Sequence, residues 1–272
     1  MKKTIRKQLR VLLLVVFVIS TSILVQKTID KSRGSDDYRE AAAIASAGID
    51  SDIRIREEAV PAAPRPDMRW VPAPVEQDPY VDELMQIDLD ALREINPDVI
   101  GWILIPDTQI NYPLLRGEDN DYYLNHTWKG QKNSVGSIFL EHQNSADLMD
   151  DNTIIYGHNM RDGSMFADLR NYSVKDYWKG NPFIYIITDA GVYRYDVIGA
   201  YSADLEGLTF GMEFDDEDSM NNFLRYIRKM SQFDTGIRPE ATDRILTLVT
   251  CYGKTSETRW VVHGRLRMMQ VE

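Results

Sequence analysis

The sequence predicts a mostly β protein built as an eight-stranded closed barrel, and three observations carry that prediction. About eight short runs rich in Ile, Val and Tyr fall within fewer than 180 residues after Tyr80. Turn signals such as Asn96-Pro97 and Pro106-Asp107 separate them. Helical periodicity is confined to a few segments that interrupt the runs. Many short strands with regular turns favour a mainly antiparallel closed barrel.

The chain before the barrel divides in two. Residues 1–10 carry five Lys or Arg and no acid, and "VLLLVVFVISTSILV" at 11–25 carries no charge. A basic flank before an apolar run fits a signal peptide or an anchor. A small-x-small cleavage site is missing just after the run, and the nearest, "AAAIASAG" at 41–48, lies too far downstream. An uncleaved transmembrane signal-anchor over 1–28 is therefore expected, with everything after it outside. Residues 29–79 read as an extracytoplasmic stalk, partly helical at "DDYREAAAIASA". Six prolines at 61–79 favour a semi-rigid extended spacer.

The catalytic domain is expected over 80–272. "YVDELMQIDLDALREINPDV" places Leu84, Ile87, Leu92 and Ile95 on one face of one or two short helices. "GWILIPDTQINYPLL" reads as two strands about a Pro-Asp turn. "GSIFLEHQ", "NTIIYGHN", "PFIYIITDAGVYRYDVIGAYSA", "RILTLVTC" and "TRWVVHGRL" supply the others. "GSMFADLRNYSVKDYWKGN" reads as a helix from near Ser164. "DDEDSMNNFLRYIRKMSQ" has acids first and bases last, as the helix dipole prefers, with Met220, Phe223, Leu224 and Ile227 inward.

Composition narrows the partners. The net charge is −11, and the chain beyond its basic first ten residues sits near −16. Nothing there neutralises phosphates, so nucleic acid is not expected. The histidines do not pair at metal-ligand spacing, and acids 214–218 read as a helix start, not a calcium loop. No metal is expected.

One cysteine, Cys251, stands in the whole chain, at the end of an apolar strand. A lone exported thiol is a small buried hydrophobe or a reactive group. As a nucleophile it needs a base, and His158 ends another apolar run in "IIYGHN". Gly157 before it permits an unusual backbone angle or a close approach. Arg259 opens the strand after the Cys251 loop and could bind an oxyanion.

These residues resemble a known family. "TLVTC" at 247–251 is similar to the TLxTC signature of sortases, with Arg259 in place of the family's arginine. "NTIIYGHNM" resembles the segment around the sortase histidine. "GWILIPDTQINYPLL", "DNDYYLNH" from Asp119, "GSMFADL" from Gly163 and the helix near 214–231 resemble class B in particular. Val249 stands where class B members often have Ser, and Tyr252 follows the cysteine where the family varies.

The resemblance implies a membrane-anchored cysteine transpeptidase of Gram-positive bacteria, with a sortase barrel and no cofactor. Its long helix lies between strands six and seven. It implies Cys251 as nucleophile, His158 as acid and base, and Arg259 as the oxyanion or substrate-orienting cation. Asn120, Leu124, Tyr156 and Thr209 would line the substrate groove. The implied partners are surface proteins with an NPxTN- or LPxTG-like C-terminal signal and a peptidoglycan amine. The alternative acceptor is a pilin lysine, which would make the protein a pilin polymerase. A papain-like peptidase places its cysteine before its histidine, whereas His158 precedes Cys251 here. An anchored scaffold with a dead site would not need the Cys, His and Arg together.

Overall fold

A computed structural model describes residues 2–46, 78, 80–205, 207–251 and 258–270. The proline-rich stretch, Tyr252 and the side chain of Cys251 lie outside the described residues.

All eight strands form: β1 Val99–Leu104, β2 Asn111–Leu115, β3 Ile138–Leu140, β4 Asn152–Tyr156, β5 Phe183–Thr188, β6 Gly191–Asp204, β7 Ile245–Cys251 and β8 Thr258–Gln270. They close in the order β1-β2-β3-β4-β7-β8-β6-β5. The pairs β2–β3 and β4–β7 are parallel, and the other six pairings are antiparallel. A parallel pair needs a long crossover between its strands. The β5–β6 hairpin and α5 (Glu217–Met230) both lie in the chain between β4 and β7.

The continuous apolar texture of β7 follows from its position. Leu246 and Leu248 join the main core, while Ile245 and Val249 join a second core on the other face. That second core is closed by α5, whose Met220, Phe223, Leu224 and Ile227 are all buried, as their spacing predicts. Asp216 caps α5 by accepting from the Ser219 amide at 2.8 Å, and the Ser219 hydroxyl is 3.2 Å from the Asp216 amide. That is a reciprocal capping box.

Between β4 and β5 the expected single helix is broken. A 3-10 stretch, Ala167–Ser173, is followed by α4, Lys175–Gly180, because Val174 between them is extended. Ser164 does not start it. Gly163 and Met165 have φ of +87° and +58°, and Asn159 bridges Met165, so this segment folds back on β4. Before the barrel, α2 (Val81–Leu84) and α3 (Leu89–Arg93) are the expected pair of short helices.

The N-terminal region departs most from expectation. Helix α1 runs from Lys2 to Ala45. Its stripe of Gly34, Tyr38, Ala41 and Ala45, spaced by a turn each, is buried on the barrel. So residues 30–45 are a docked helix and not a free stalk. The proline-rich spacer falls outside the described residues, and the described residues on either side of it are both seated on the folded domain. One flank, Ala45, accepts from the Asp88 amide at 3.1 Å. The other, Asp78, pairs with buried Arg194 at 2.8 Å.

Among the described residues no helix is long and apolar enough to cross a membrane. The uncharged run of 15 residues makes about 22 Å of helix, against a hydrocarbon core of about 30 Å. Its Leu13, Phe17 and Leu24 are exposed.

Strands β4, β7, β8 and β6 are tied by a buried polar chain. Thr247 donates to Asn152 Oδ1 at 2.6 Å, and its hydroxyl is 2.9 Å from His263 Nδ1. His263 Nε2 is 3.1 Å from the Tyr201 hydroxyl. Burial lowers the His263 pKa from 6.5 to about 3, so the folded protein keeps this imidazole neutral. The unfolded chain protonates it near pH 6.5, so its stabilising effect is full above that pH and lost as pH falls toward 3. Below pH 6.5 this group alone should remove about 1.4 kcal/mol of stability per pH unit. Urea unfolding from pH 7 to 4 should therefore show a steeper decline for the native chain than for His263→Gln. Parallel declines would refute the assignment.

Candidate active site

The site is set first by strand register. Along the parallel pair, Tyr156 of β4 lies opposite Val249 of β7, and the Gly157 amide donates to the Val249 carbonyl at 3.1 Å. Two residues onward on each strand stand His158 and Cys251. Across the antiparallel pair, Cys251 lies opposite Arg259. The β7–β8 hairpin and the distant end of β4 thus deliver a thiol residue, a guanidinium and an imidazole to one rim of the barrel.

Glycines make room for the histidine. A Cβ on Gly157 would lie 2.4 Å from Ile138 and 2.7 Å from the Phe166 ring, so close approach, not an unusual angle, requires glycine there. Gly136, at φ +62°, floors the imidazole slot; a Cβ would meet His158 Cδ2 at 2.7 Å and the Leu124 carbonyl at 2.8 Å. That same carbonyl is 2.6 Å from His158 Nε2. A carbonyl oxygen only accepts, so Nε2 carries a proton. Nδ1 is then the nitrogen that changes protonation when the ring exchanges a proton.

Arg259 is partly buried, with Nη1 donating to the Thr258 carbonyl at 3.1 Å. Its charge acts on the Tyr156 phenol. Burial first, and the Glu141 carboxylate second, push the Tyr156 pKa well up, while Arg259 opposes them. Tyr156 therefore stays a neutral phenol and donates to Glu141 Oε2 at 2.9 Å.

Glu141 is the residue that sequence reasoning missed. It is 7% exposed and its Oε2 also accepts from Asn120 Nδ2 at 2.7 Å. Burial raises its pKa, but the Asn120 and Tyr156 hydrogen bonds outweigh that and hold it below the ordinary carboxylate range. His142 Nδ1 is 2.8 Å from Oε1 in a geometry too bent for a hydrogen bond. The available signal was an acid closing the apolar run "GSIFLE" at its buried end.

The structure thus sorts the four expected groove residues. Asn120 and Tyr156 converge on Glu141, and Asn120 Oδ1 accepts from the His142 amide at 3.0 Å. Leu124, exposed, ends the 3-10 turn Tyr122–Leu124 whose last carbonyl holds His158. Thr209 is a correction. It is fully buried, with its hydroxyl 3.0 Å from that of Tyr201, and presents no open surface.

A family model described as Sortase domain matches residues 103–267. The chain is similar to Sortase B of Listeria monocytogenes, 37% identical over 181 residues, covering 66% of this chain and 74% of that protein. It is 31% identical over 176 residues to Sortase B of Staphylococcus aureus, covering 65% of this chain and 72% of that one. Among solved structures, the Staphylococcus aureus sortase B–substrate complex superposes with a TM-score of 0.64 at 29% identity, covering 67% of this chain and 85% of that chain.

A double-mutant cycle tests the Glu141 cluster. Glu141→Ala should cost about 1–2 kcal/mol of unfolding free energy, because it leaves two half-buried donors without their acceptor. Tyr156→Phe should cost about 1 kcal/mol alone and almost nothing added to Glu141→Ala. Additive costs, read by urea denaturation, would mean the two side chains do not act together.

Proposed function

This chain belongs to the sortase family as a class B cysteine transpeptidase, and we propose that Cys251, His158 and Arg259 carry its reaction on a C-terminal sorting signal of NPxTN or LPxTG type. The observation that supports this most is the pair of registers that bring Cys251 opposite Arg259 and level with His158.

In the proposed reaction the Cys251 thiolate attacks the carbonyl carbon of the signal's Thr. The carbonyl π electrons move to oxygen, and the Arg259 guanidinium stabilises that oxyanion. As the tetrahedral centre collapses, the C–N bond breaks and His158 gives its Nδ1 proton to the leaving amine. The acyl group is then a thioester on Cys251. An incoming cell-wall amine attacks the thioester, neutral His158 takes its proton at Nδ1, and Cys251 leaves as thiolate. Asn120, Tyr156 and Leu124 form the proposed groove, with Glu141 holding the first two. Because the Tyr156 proton points to Glu141, the phenol oxygen meets a substrate as an acceptor.

Residues 1–28 are proposed as a single-pass anchor with the basic end inside and the barrel outside. Exposed apolar residues all round a helix favour a lipid environment. Two hydroxyls in that stretch bond back to carbonyls one turn earlier, Thr21 to Phe17 at 2.6 Å and Thr28 to Leu24 at 3.0 Å. Such bonds lower the cost of burying hydroxyls in hydrocarbon. The catalytic unit is proposed as 80–272 with the docked part of α1 added. Full-length protein should stay in the membrane pellet through alkaline carbonate, and extraction into the supernatant would rule the anchor out.

The reaction is tested with the full chain in detergent and fluorogenic peptides bearing NPxTN, LPxTG or PPxTG. Cleavage should fall after Thr, vanish in Cys251→Ala, and divert to an adduct when triglycine is supplied. Arg259→Ala should lower kcat about 100- to 1000-fold, the scale for loss of an oxyanion donor. Cleavage elsewhere in the peptide, or undiminished by Cys251→Ala, would refute the assignment.

A further inference from the structure

The docked half of α1 touches both of the segments that hold His158. The first is the turn from Leu124 to Ser137. Tyr38 is buried and its hydroxyl donates to the Gly136 carbonyl at 2.5 Å, with Ser137 Oγ at 3.1 Å. Gly136 is the floor of the imidazole slot, packed against the ring and against the carbonyl that binds Nε2. The same turn is held to the helix backbone at two more points. Trp128 Nε1 donates to the Asp37 carbonyl at 2.8 Å, and Asn133 Nδ2 donates to the Asp30 carbonyl at 2.6 Å.

The second segment is the loop 157–166, which carries His158 itself. Its return leg is fastened by the Phe166 amide, which donates to the His158 carbonyl at 2.8 Å. Lys31 reaches the loop tip directly, 2.8 Å from Asp162 Oδ2. Asp162 Oδ1 in turn accepts from the Ser164 hydroxyl at 2.7 Å. Tyr38 reaches the loop indirectly. Its ring packs edge-on against Tyr112 with centroids 5.3 Å apart, and the Tyr112 hydroxyl accepts from the Met165 amide at 2.9 Å. Met165 sits at φ +58°, a conformation that costs a non-glycine residue and needs outside support.

We propose that α1 is a strap across the back of the active site, and that Tyr38 and Lys31 are positioning residues that hold the Leu124 turn and the 157–166 loop at the spacing His158 needs. This rests on the reading of His158 as the acid and base of the reaction. The Lys31–Asp162 pair is part-exposed, so its net contribution to stability is small and its effect is to fix the loop's position. The Tyr38 hydrogen bond is buried, and of the turn's ties to α1 it is the one made at Gly136, against the imidazole slot.

The test uses the full chain in detergent and two readouts. One is peptide turnover, split into kcat and KM. The other is the rate of Cys251 alkylation by iodoacetamide across pH, which senses the imidazole beside the thiol without needing a substrate. His158→Ala gives the reference curve. Tyr38→Phe keeps the ring and should lower kcat about five- to tenfold with KM within about twofold, as small misplacements of a catalytic group do. It should also move the alkylation curve part of the way toward His158→Ala. Lys31→Asp should have a smaller effect of the same kind, and adding Asp162→Lys should restore it.

Arg39→Gln serves as the control, because exposed Arg39 pairs with Asp36 of its own helix and with neither segment. It should leave both readouts unchanged. A lower Tm in Tyr38→Phe with native kcat and a native alkylation curve would make Tyr38 merely structural and overturn the proposal. Failure of the native chain to cleave any peptide would strike the proposed function instead, while the alkylation curves would still decide this one.

Discussion

The parallel pairing of β4 with β7 is the constraint on which the site depends. These strands enter the barrel from opposite sides of a long crossover, yet their register fixes which residue of one ends level with which residue of the other. A slip of one residue would turn each side chain to the other face. It would also separate His158 from Cys251 along the rim. The register is locked at the far end of the pair by side chains: Thr247 on β7 bonds Asn152 on β4, and Asn152 Nδ2 reaches across to the Gly211 carbonyl at 2.7 Å. A buried polar chain is sensitive to misalignment because each broken bond leaves an unpaired group away from water. The nonpolar faces of β7 would tolerate a slip better than this chain does, so it is the polar residues that specify the alignment.

Support from behind recurs throughout the site. The histidine is held by a carbonyl at its Nε2 and by a glycine against its ring. The tyrosine and asparagine of the groove are held by one carboxylate. In each case the side chain is fixed by a group behind it: a backbone carbonyl and a glycine for the histidine, a carboxylate for the tyrosine and asparagine. Such support limits the conformations available before a substrate arrives, which is how a site avoids ordering itself during the reaction.

Much of this was legible in the sequence. The strands announced themselves because β-branched and aromatic runs have few other uses, and α5 because its acids, apolar stripe and bases each pointed to the same helix. That His158, Cys251 and Arg259 meet at one rim was legible because each stands where a strand meets a loop. The closing order of the barrel was not, since nothing local distinguishes a parallel from an antiparallel neighbour. Thr209 was misplaced because a hydroxyl beside a loop looks the same whether it meets solvent or a buried tyrosine. Glu141 escaped notice because its value lies in two partners, Asn120 and Tyr156, that are 21 and 15 residues away. The docking of α1 was hidden by composition: Gly34, Ala41 and Ala45 look like an unremarkable small-residue patch until a surface is placed against them.

The continuity of α1 sets a height. Lys31, which pairs with the loop carrying the histidine, stands six positions beyond Val25, the last residue of the apolar run. Along an α-helix that is a rise of about 9 Å. With the proposed anchor in a bilayer, the catalytic rim is held close above the headgroups by a rigid rod and cannot swing outward on a flexible leash. Its working volume is then a thin layer parallel to the membrane. Reactants confined to that layer meet the thiol by diffusion in two dimensions, while those farther out must first come down to it.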